Sequence, residues 1–220
     1  FRQDRGFHRV YHAAADPDAL SASFAWANLA SLAAPLISDL VGLPENIRNI
    51  AGLYAGHGFA EYERLIRMAR ASSPPCDTLS NSDVAIATVE TVPAISQFLE
   101  ERLDPLVDQI PAASSLETAA TRGNILVVWR NAIPAGVLIF ENSRLSATVR
   151  YWYVDRNFQG QGIGSMLIKE FFRACSGARR IVLWVAAGNF ESIAKYRHFG
   201  FNPEALEDRV MSRNHGARNH

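Results

Sequence analysis

The chain of 220 residues reads as an α/β (α+β) protein on a mixed, mainly antiparallel sheet. Three observations carry that expectation. First, three β-branched and aromatic runs, 124–129, 135–140 and 145–154, are separated by short turns at Arg130-Asn131 and Asn142-Ser143, as in an antiparallel meander. Second, the last run feeds a glycine-rich turn, Val154 to Ser165, that opens into an apolar-striped helix. Third, another apolar run, Arg180 to Ala186, follows that helix, and such a crossover makes a right-handed parallel strand pair.

Taken in chain order, residues 1–72 are expected to form a mainly helical extension. Ala19 to Ser38 carries no charge, but its four serines, Asn28 and Pro35 make it a poor lipid-spanning segment. Phe24, Trp26, Leu29, Leu32, Leu36 and Ile37 point instead to a helix or helix pair buried against protein. Ala71 to Thr78, small and proline-rich, reads as a linker. A second unit, 78–213, opens with a strand at Val84 to Val89 and a helix entered at Pro93. That helix carries Ile95, Phe98, Leu99, Leu103, Leu106 and Val107 on one face and is limited by Pro105. Ser115 to Thr121 is a short helix that stops at Gly123. After the meander, a helix to about Ser176 turns Ile163, Leu167, Phe171 and Ala174 or Cys175 inward. Beyond the 180–186 strand, Asn189 is an N-cap, Gly200 a C′ residue and Phe201 its apolar partner. Phe201 to Pro203 and Asp208 to Arg213 are expected as short closing strands.

Composition narrows the function classes. The chain is 48% hydrophobic and 20% charged, with 22 basic residues against 22 acidic ones, so it has core enough for an enzyme and no basic excess. Arg2, Arg5 and Arg9 near the start do not make a nucleic-acid surface. Neither nucleic acid nor membrane is expected as a partner. Cys76 and Cys175 form no disulfide framework, which fits a reduced, cytoplasmic protein. The chain begins at Phe1, as a trimmed or processed sequence would. His8 and His12 stand four apart without a third ligand, so no metal is expected.

The glycine-rich turn carries the chemistry. A helix start presents free N–H groups and the positive end of the helix dipole, and glycines let an anion approach the backbone. The dinucleotide fingerprint fails here, because Ser165 or Leu167 stands where its third glycine belongs. The nucleotide-triphosphate loop also fails, since the first lysine is Lys169. What fits is Gln-x-x-Gly-x-Gly, read as Gln159, Gly162 and Gly164. A second motif runs from Asn189 through Ser192 and Tyr196 to Gly200-Phe201. The pair resembles the signatures of the GCN5-related N-acetyltransferase (GNAT) family, with Ser192 where alanine is usual. The order of elements over 78–213 is also that of the GNAT acyl-CoA N-acyltransferase fold, here with an N-terminal mostly helical extension.

The resemblance implies transfer of acetyl from acetyl-CoA to a primary amine of a small metabolite, sugar or peptide, by direct attack in a ternary complex and without metal. Gln159, Gly160, Gln161, Gly162, Ile163, Gly164 and Ser165 would cradle the pyrophosphate. The main chain of Tyr153 and Val154 would pair with the pantetheine arm, where their strand splays from 181–185. Tyr196 would protonate the departing thiolate, and Asn189 would contact the cofactor arm. No acid lies between Glu141 and Asp155, so Glu141 is the named base candidate, or else a solvated turn carboxylate. Arg150, amid aromatic residues, faces the acceptor or serves only structure. Trp129, Trp152 and Trp184 are core or pocket walls. Tyr54, Gly58 and Phe59 repeat the spacing of Tyr196, Gly200 and Phe201, although Asn46 precedes Tyr54 by eight residues and not seven. Residues 1–72 are therefore either a degenerate acetyltransferase remnant or an extension that covers the catalytic unit or mediates a homodimer. A silent acetyl-CoA sensor or assembly module is the alternative to an active transferase, and a protein-interaction role of the first 70 residues is a third.

Overall fold

The computed structural model describes residues 2–4, 6–12, 17–26, 34–71, 82–143 and 145–214. Cys76, Arg5, Leu29, Leu32 and the linker beyond Ala71 lie outside them. In chain order the elements are β1 (Arg2–Asp4), β2 (Phe7–Arg9), α1 (Pro17–Trp26), β3 (Leu36–Gly42), α2 (Pro44–Gly56), β4 (Ala60–Ala71) and β5 (Val84–Ile86). Then follow α3 (Val92–Glu100), α4 (Ala113–Thr121), β6 (Ile125–Arg130), β7 (Ile133–Asn142) and β8 (Ser146–Val154). The chain closes with α5 (Ile163–Ala174), β9 (Arg180–Ala186), α6 (Phe190–His198) and β10 (Asn202–Arg213). Short 3-10 turns, Val89–Thr91 and Arg156–Phe158, precede α3 and α5.

All ten strands share one sheet in the order β1-β2-β3-β10-β4-β9-β8-β7-β6-β5. Only β2–β3 and β8–β9 are parallel, so the expected mixed, mainly antiparallel sheet is present. Its two faces are covered differently. On one, Leu167, Ile168 and Phe171 of α5 pack with Leu138, Phe140, Leu183 and Phe201. On the other, Ile95 and Leu99 of α3 and Leu116 of α4 meet Val127, Val137 and Ile139. Burying each large apolar side chain contributes about 1.5–3 kcal/mol, which fixes both helix layers on the strands that frame the site. Gly136 in β7 lets α5 come close: a Cβ there would stand 2.6 Å from Ile163 Cγ2.

Among its described residues the N-terminal extension is not mainly helical: they contribute four strands as well as two helices, and β4 lies inside the sheet between β9 and β10. The apolar stretch read as a helix or helix pair begins in α1 and ends in β3, because a continuous apolar run does not distinguish a buried strand from a buried helix. The two expected closing strands are one, β10, kinked by register shifts at Pro203/Glu207 and Val210/Met211. Proline cannot donate to the ladder, which suits an interruption there. The slot beside β9 is filled by β4, over Leu65↔Ala186 to Ala71↔Arg180. The strand expected at 84–89 stops at Ile86, since Thr88 and Thr91 form a capping box that starts the turn into α3.

Units β3-α2-β4 and β9-α6-β10 interlock, each giving its second strand to the other's first. Their helix ends match. Tyr54 O accepts from His57 N at 3.0 Å and Phe59 N at 3.1 Å, and Tyr196 O from Phe199 N and Phe201 N at 3.0 Å each. Gly58 and Gly200 both take φ of 82°, a left-handed conformation that glycine adopts without strain. Among the described residues, no helix is long and apolar enough to cross a membrane.

Candidate active site

The site begins where β8 leaves β9. The pair is hydrogen-bonded only from Ser146↔Arg180 to Val149↔Leu183. At the same level β8 bulges against β7: Val149 opposes Phe140 and Tyr151 opposes Ile139, which leaves Arg150 as the extra residue. A bulge bends its strand and raises its twist, so β8 turns away from β9 here. Tyr151 to Val154 still pair with β7, and Trp184 to Ala186 with β4. The edges facing each other across the splay carry no ladder, and the alternation that follows from Asp155 N donating to Ala135 O turns the N–H and C=O of Val154 toward the splay for an added strand-like ligand, whereas Tyr153, expected to share that role, spends its main-chain groups on Val137 of β7. Trp152 and Val154 face the α5 layer, whereas Tyr151 and Tyr153 face α3 and α4.

The end of β8 is clamped. Asp155 accepts from Asn157 N at 2.9 Å and pairs with Arg102 Nη2 at 2.6 Å. The Asn157 N–H first, and the Arg102 guanidinium second, hold its carboxyl below the usual carboxylate range. Arg102 also lies over the Phe98 ring at 4.3 Å, so α3 and the start of the loop are tied together. Gly160 and Gly162 then take φ of 79° and 77°. Gly162 O accepts the first bond of α5, from Met166 N at 3.0 Å, so the amides of residues 163–165 have no intrahelical partner. No side chain caps this end and no acid lies in its first turn. A Cβ built on Gly160 or Gly162 meets nothing within 4 Å. The face over the loop is open and electropositive, and it fits a diphosphate.

Tyr196 stands beside the splay on α6. Its ring stacks on Trp152 with centroids 5.2 Å apart and planes 25° apart, and it lies edge-on to Phe201. Burial pushes its hydroxyl up to about 12, with the Ser192 hydroxyl acting the other way. Asn189 is the N-cap, its Oδ1 accepting from Ser192 N at 3.0 Å, which leaves its side-chain amide N–H groups for a ligand. Glu141, at the end of β7, is 71% exposed and faces Arg150 Nε at 3.5 Å. It belongs to the α4 side, so Glu141 and Tyr196 flank the sheet from opposite faces. Between α4 and the ends of β7 and β8 lies a cleft of about 630 Å³ bordered by Gln109, Ser115, Arg122, Glu141, Arg150 and Tyr151.

The sequence did not reveal the Arg102–Asp155 clamp, because 53 residues separate the partners. Gly136 did leave a signal, as an isolated glycine within an apolar strand marks a close backbone approach. His12 donates to or accepts from Tyr54 Oη through Nδ1 at 2.8 Å, and no group of three metal-binding side chains exists among the described residues.

A helix-covered mixed sheet with a splayed parallel pair and an anion-ready helix start defines an acyltransferase scaffold. Residues 93–201 match the family model of the acetyltransferase (GNAT) family, and over that stretch the chain belongs to it. The solved structure of a GCN5-related N-acetyltransferase from Sphaerobacter thermophilus superposes with a TM-score of 0.63 at 14% identity, covering 84% of this chain and 62% of that one. A GCN5-related N-acetyltransferase from Kribbella flavida gives 0.61 at 15% identity, with 91% and 77% covered. A tandem GNAT protein from the clavulanic acid biosynthesis pathway gives 0.56 at 14%, with 91% and 70% covered. The chain thus spans less than two thirds of the Sphaerobacter protein's length. No curated protein matches the chain by sequence.

Proposed function

We propose that the chain is an acetyl-CoA-dependent N-acetyltransferase acting on a primary amine of a small metabolite, sugar or peptide in a ternary complex. The observation that carries this reading is the unladdered edge of β8 at Val154, a few residues before the open helix start at Gly162. Acetyl-CoA supplies an activated acyl group on a thiol leaving group. The amides of Gln161 to Ser165, with Gln159 and Gly160 shaping the turn, would hold its diphosphate. The main chain of Val154 would pair with its arm, and Asn189 would donate to it. The amine would enter from the α4 side and attack through the splay. Tyr196, protonated at neutral pH, would donate its proton to the departing sulfur. Glu141, directly or through water, would take the proton that the amine loses. The buried Cys175 thiol, pushed up to about 12, plays no part.

Titration with acetyl-CoA, followed by coenzyme A release across an amine panel, tests the reading. Submicromolar to millimolar binding without release from any amine would favour a silent sensor, a reading that the exposed, arginine-paired Glu141 supports. Absence of binding would remove both. We also infer that residues 36–71 are a degenerate second acetyltransferase module. The matched helix ends of Tyr54 and Tyr196 support it. Tyr54 is fully buried, and its hydroxyl is engaged by Ser38 Oγ at 2.9 Å and His12 Nδ1, so it has no access to a ligand.

A further inference from the structure

We propose that the cleft beside the splay selects an acceptor that carries a carboxylate as well as its amine, with Arg122 and Arg150 binding the carboxylate and Glu141 facing the ammonium. This rests on the transferase reading above.

The cleft is floored by β7 at Ile139, with Phe140 at its border, and has one wall along α4 from Ala112 through Ser115 and Ala119 to Arg122. Its volume suits a ligand of amino-acid to dipeptide size. Two guanidinium groups and one carboxylate line it, a net single positive charge that matches one carboxylate better than a doubly charged phosphate. The Arg122 guanidinium has no hydrogen-bond or ion-pair partner among the described residues. Arg150 is the bulged residue, so the irregularity that opens the splay also aims this side chain at the cleft. Its pairing with Glu141 at 3.5 Å is longer than a hydrogen bond and solvent-exposed, so a ligand can replace it at little cost. A planar guanidinium meets a carboxylate in a two-pronged contact, which an amide cannot reproduce.

The rim is held in place from a distance. The Tyr151 hydroxyl donates to Gln109 O, and Gln109 Nε2 donates to Asp39 Oδ2 at 3.2 Å. Asp39 in turn pairs with the fully buried Arg9 at 2.5 Å. Gln3 of β1 also borders the cleft. The N-terminal segment therefore shapes the acceptor side of the site.

The test uses the full chain saturated with acetyl-CoA and matched acceptors: amino acids and dipeptides with free or amidated C-termini, plus 2-aminoethyl phosphate. The free acids should exceed their amides in kcat/KM by about 10- to 100-fold, mostly through KM. Arg122→Gln should shrink that ratio to within about threefold while far-UV circular dichroism and Tm stay unchanged. Amides turned over as well as acids, or the phosphate preferred over the carboxylates, would overturn the proposal. Silence of all these acceptors with acetyl-CoA still bound would also overturn it and leave the transferase reading standing. Loss of acetyl-CoA binding itself would sink that reading, and this proposal with it.

Discussion

Replacing Tyr196 with phenylalanine isolates one proton from everything else in the site. The ring stays stacked on Trp152 at 5.2 Å, and the apolar contact with Phe201 is kept. What disappears is a hydroxyl and its interaction with Ser192, a loss of about 1 kcal/mol of stability or less. If the hydroxyl delivers the proton to sulfur, kcat should fall about 10²- to 10⁴-fold, or about 3–5 kcal/mol of transition-state stabilisation. The dissociation constant of acetyl-CoA should stay within about twofold, because the hydroxyl engages the sulfur strongly only as the thiolate leaves. The pH profile gives a second check. With a hydroxyl pushed up to about 12, the proton is retained throughout the neutral and mildly alkaline range. Activity should therefore rise with pH as the acceptor amine loses its proton, and then level without a descending limb up to about pH 10. Stopped release of coenzyme A monitored from pH 6 to 10, beside a calorimetric titration, reads both. A phenylalanine variant within threefold of the parent in kcat would refute the assignment. A descending limb near pH 8 in the parent that vanished in the variant would contradict the raised pKa.

Gly162→Val places a branched side chain at φ of 77° over the loop, so acetyl-CoA binding by calorimetry should fall below detection in a protein that still folds. Gly136→Val drives a side chain into Ile163, 2.6 Å from the position of its Cβ; a loss of about 1–3 kcal/mol in urea unfolding and weaker acetyl-CoA binding should appear together. Burial and the neighbouring Asp39 raise Asp208 to about 7, so the native state holds its proton more tightly than the unfolded chain and stability falls as pH rises from about 4 to 7. Asp208→Asn should accordingly melt above the parent at pH 8.5, with the gap narrowing toward pH 5. Deleting residues 1–72 removes β4 from between β9 and β10, so aggregation or loss of the cooperative transition is expected, not a smaller working enzyme.

Local punctuation made the site's parts legible. The strand at Arg180–Ala186 has the bounds read from its apolar run, and Asn189 and Gly200 bracket α6 as cap chemistry requires. Each of those signals spans a few residues of backbone geometry. What stayed hidden depends on partners far apart in sequence. Ala60 to Ala71 alternates glutamate and arginine with Tyr62, Leu65 and Met68, a pattern equally at home on a surface strand, and only its pairing with Ile181 to Ala186 makes it internal. In the sequence Arg9 is one of three arginines near the start, with nothing to set it apart. It is fully buried, because Asp39 and the carbonyl of Leu106, 30 and 97 residues away, come to meet it. Its Nε has no partner, so the pairing is incomplete and costly to keep dry. The same contacts fasten the loop before α4, whose Gln109 receives the Tyr151 hydroxyl at the acceptor cleft. If the cleft takes the acceptor as proposed, a charge buried at that expense beside its rim would tie the N-terminal segment to acceptor selection as well as to stability. Arg9→Met separates the two: an apolar replacement should hold or raise Tm while KM for the acceptor rises several-fold as Gln109 loses its fixed neighbour. A variant unchanged in KM would leave the N-terminal strands with a purely architectural role.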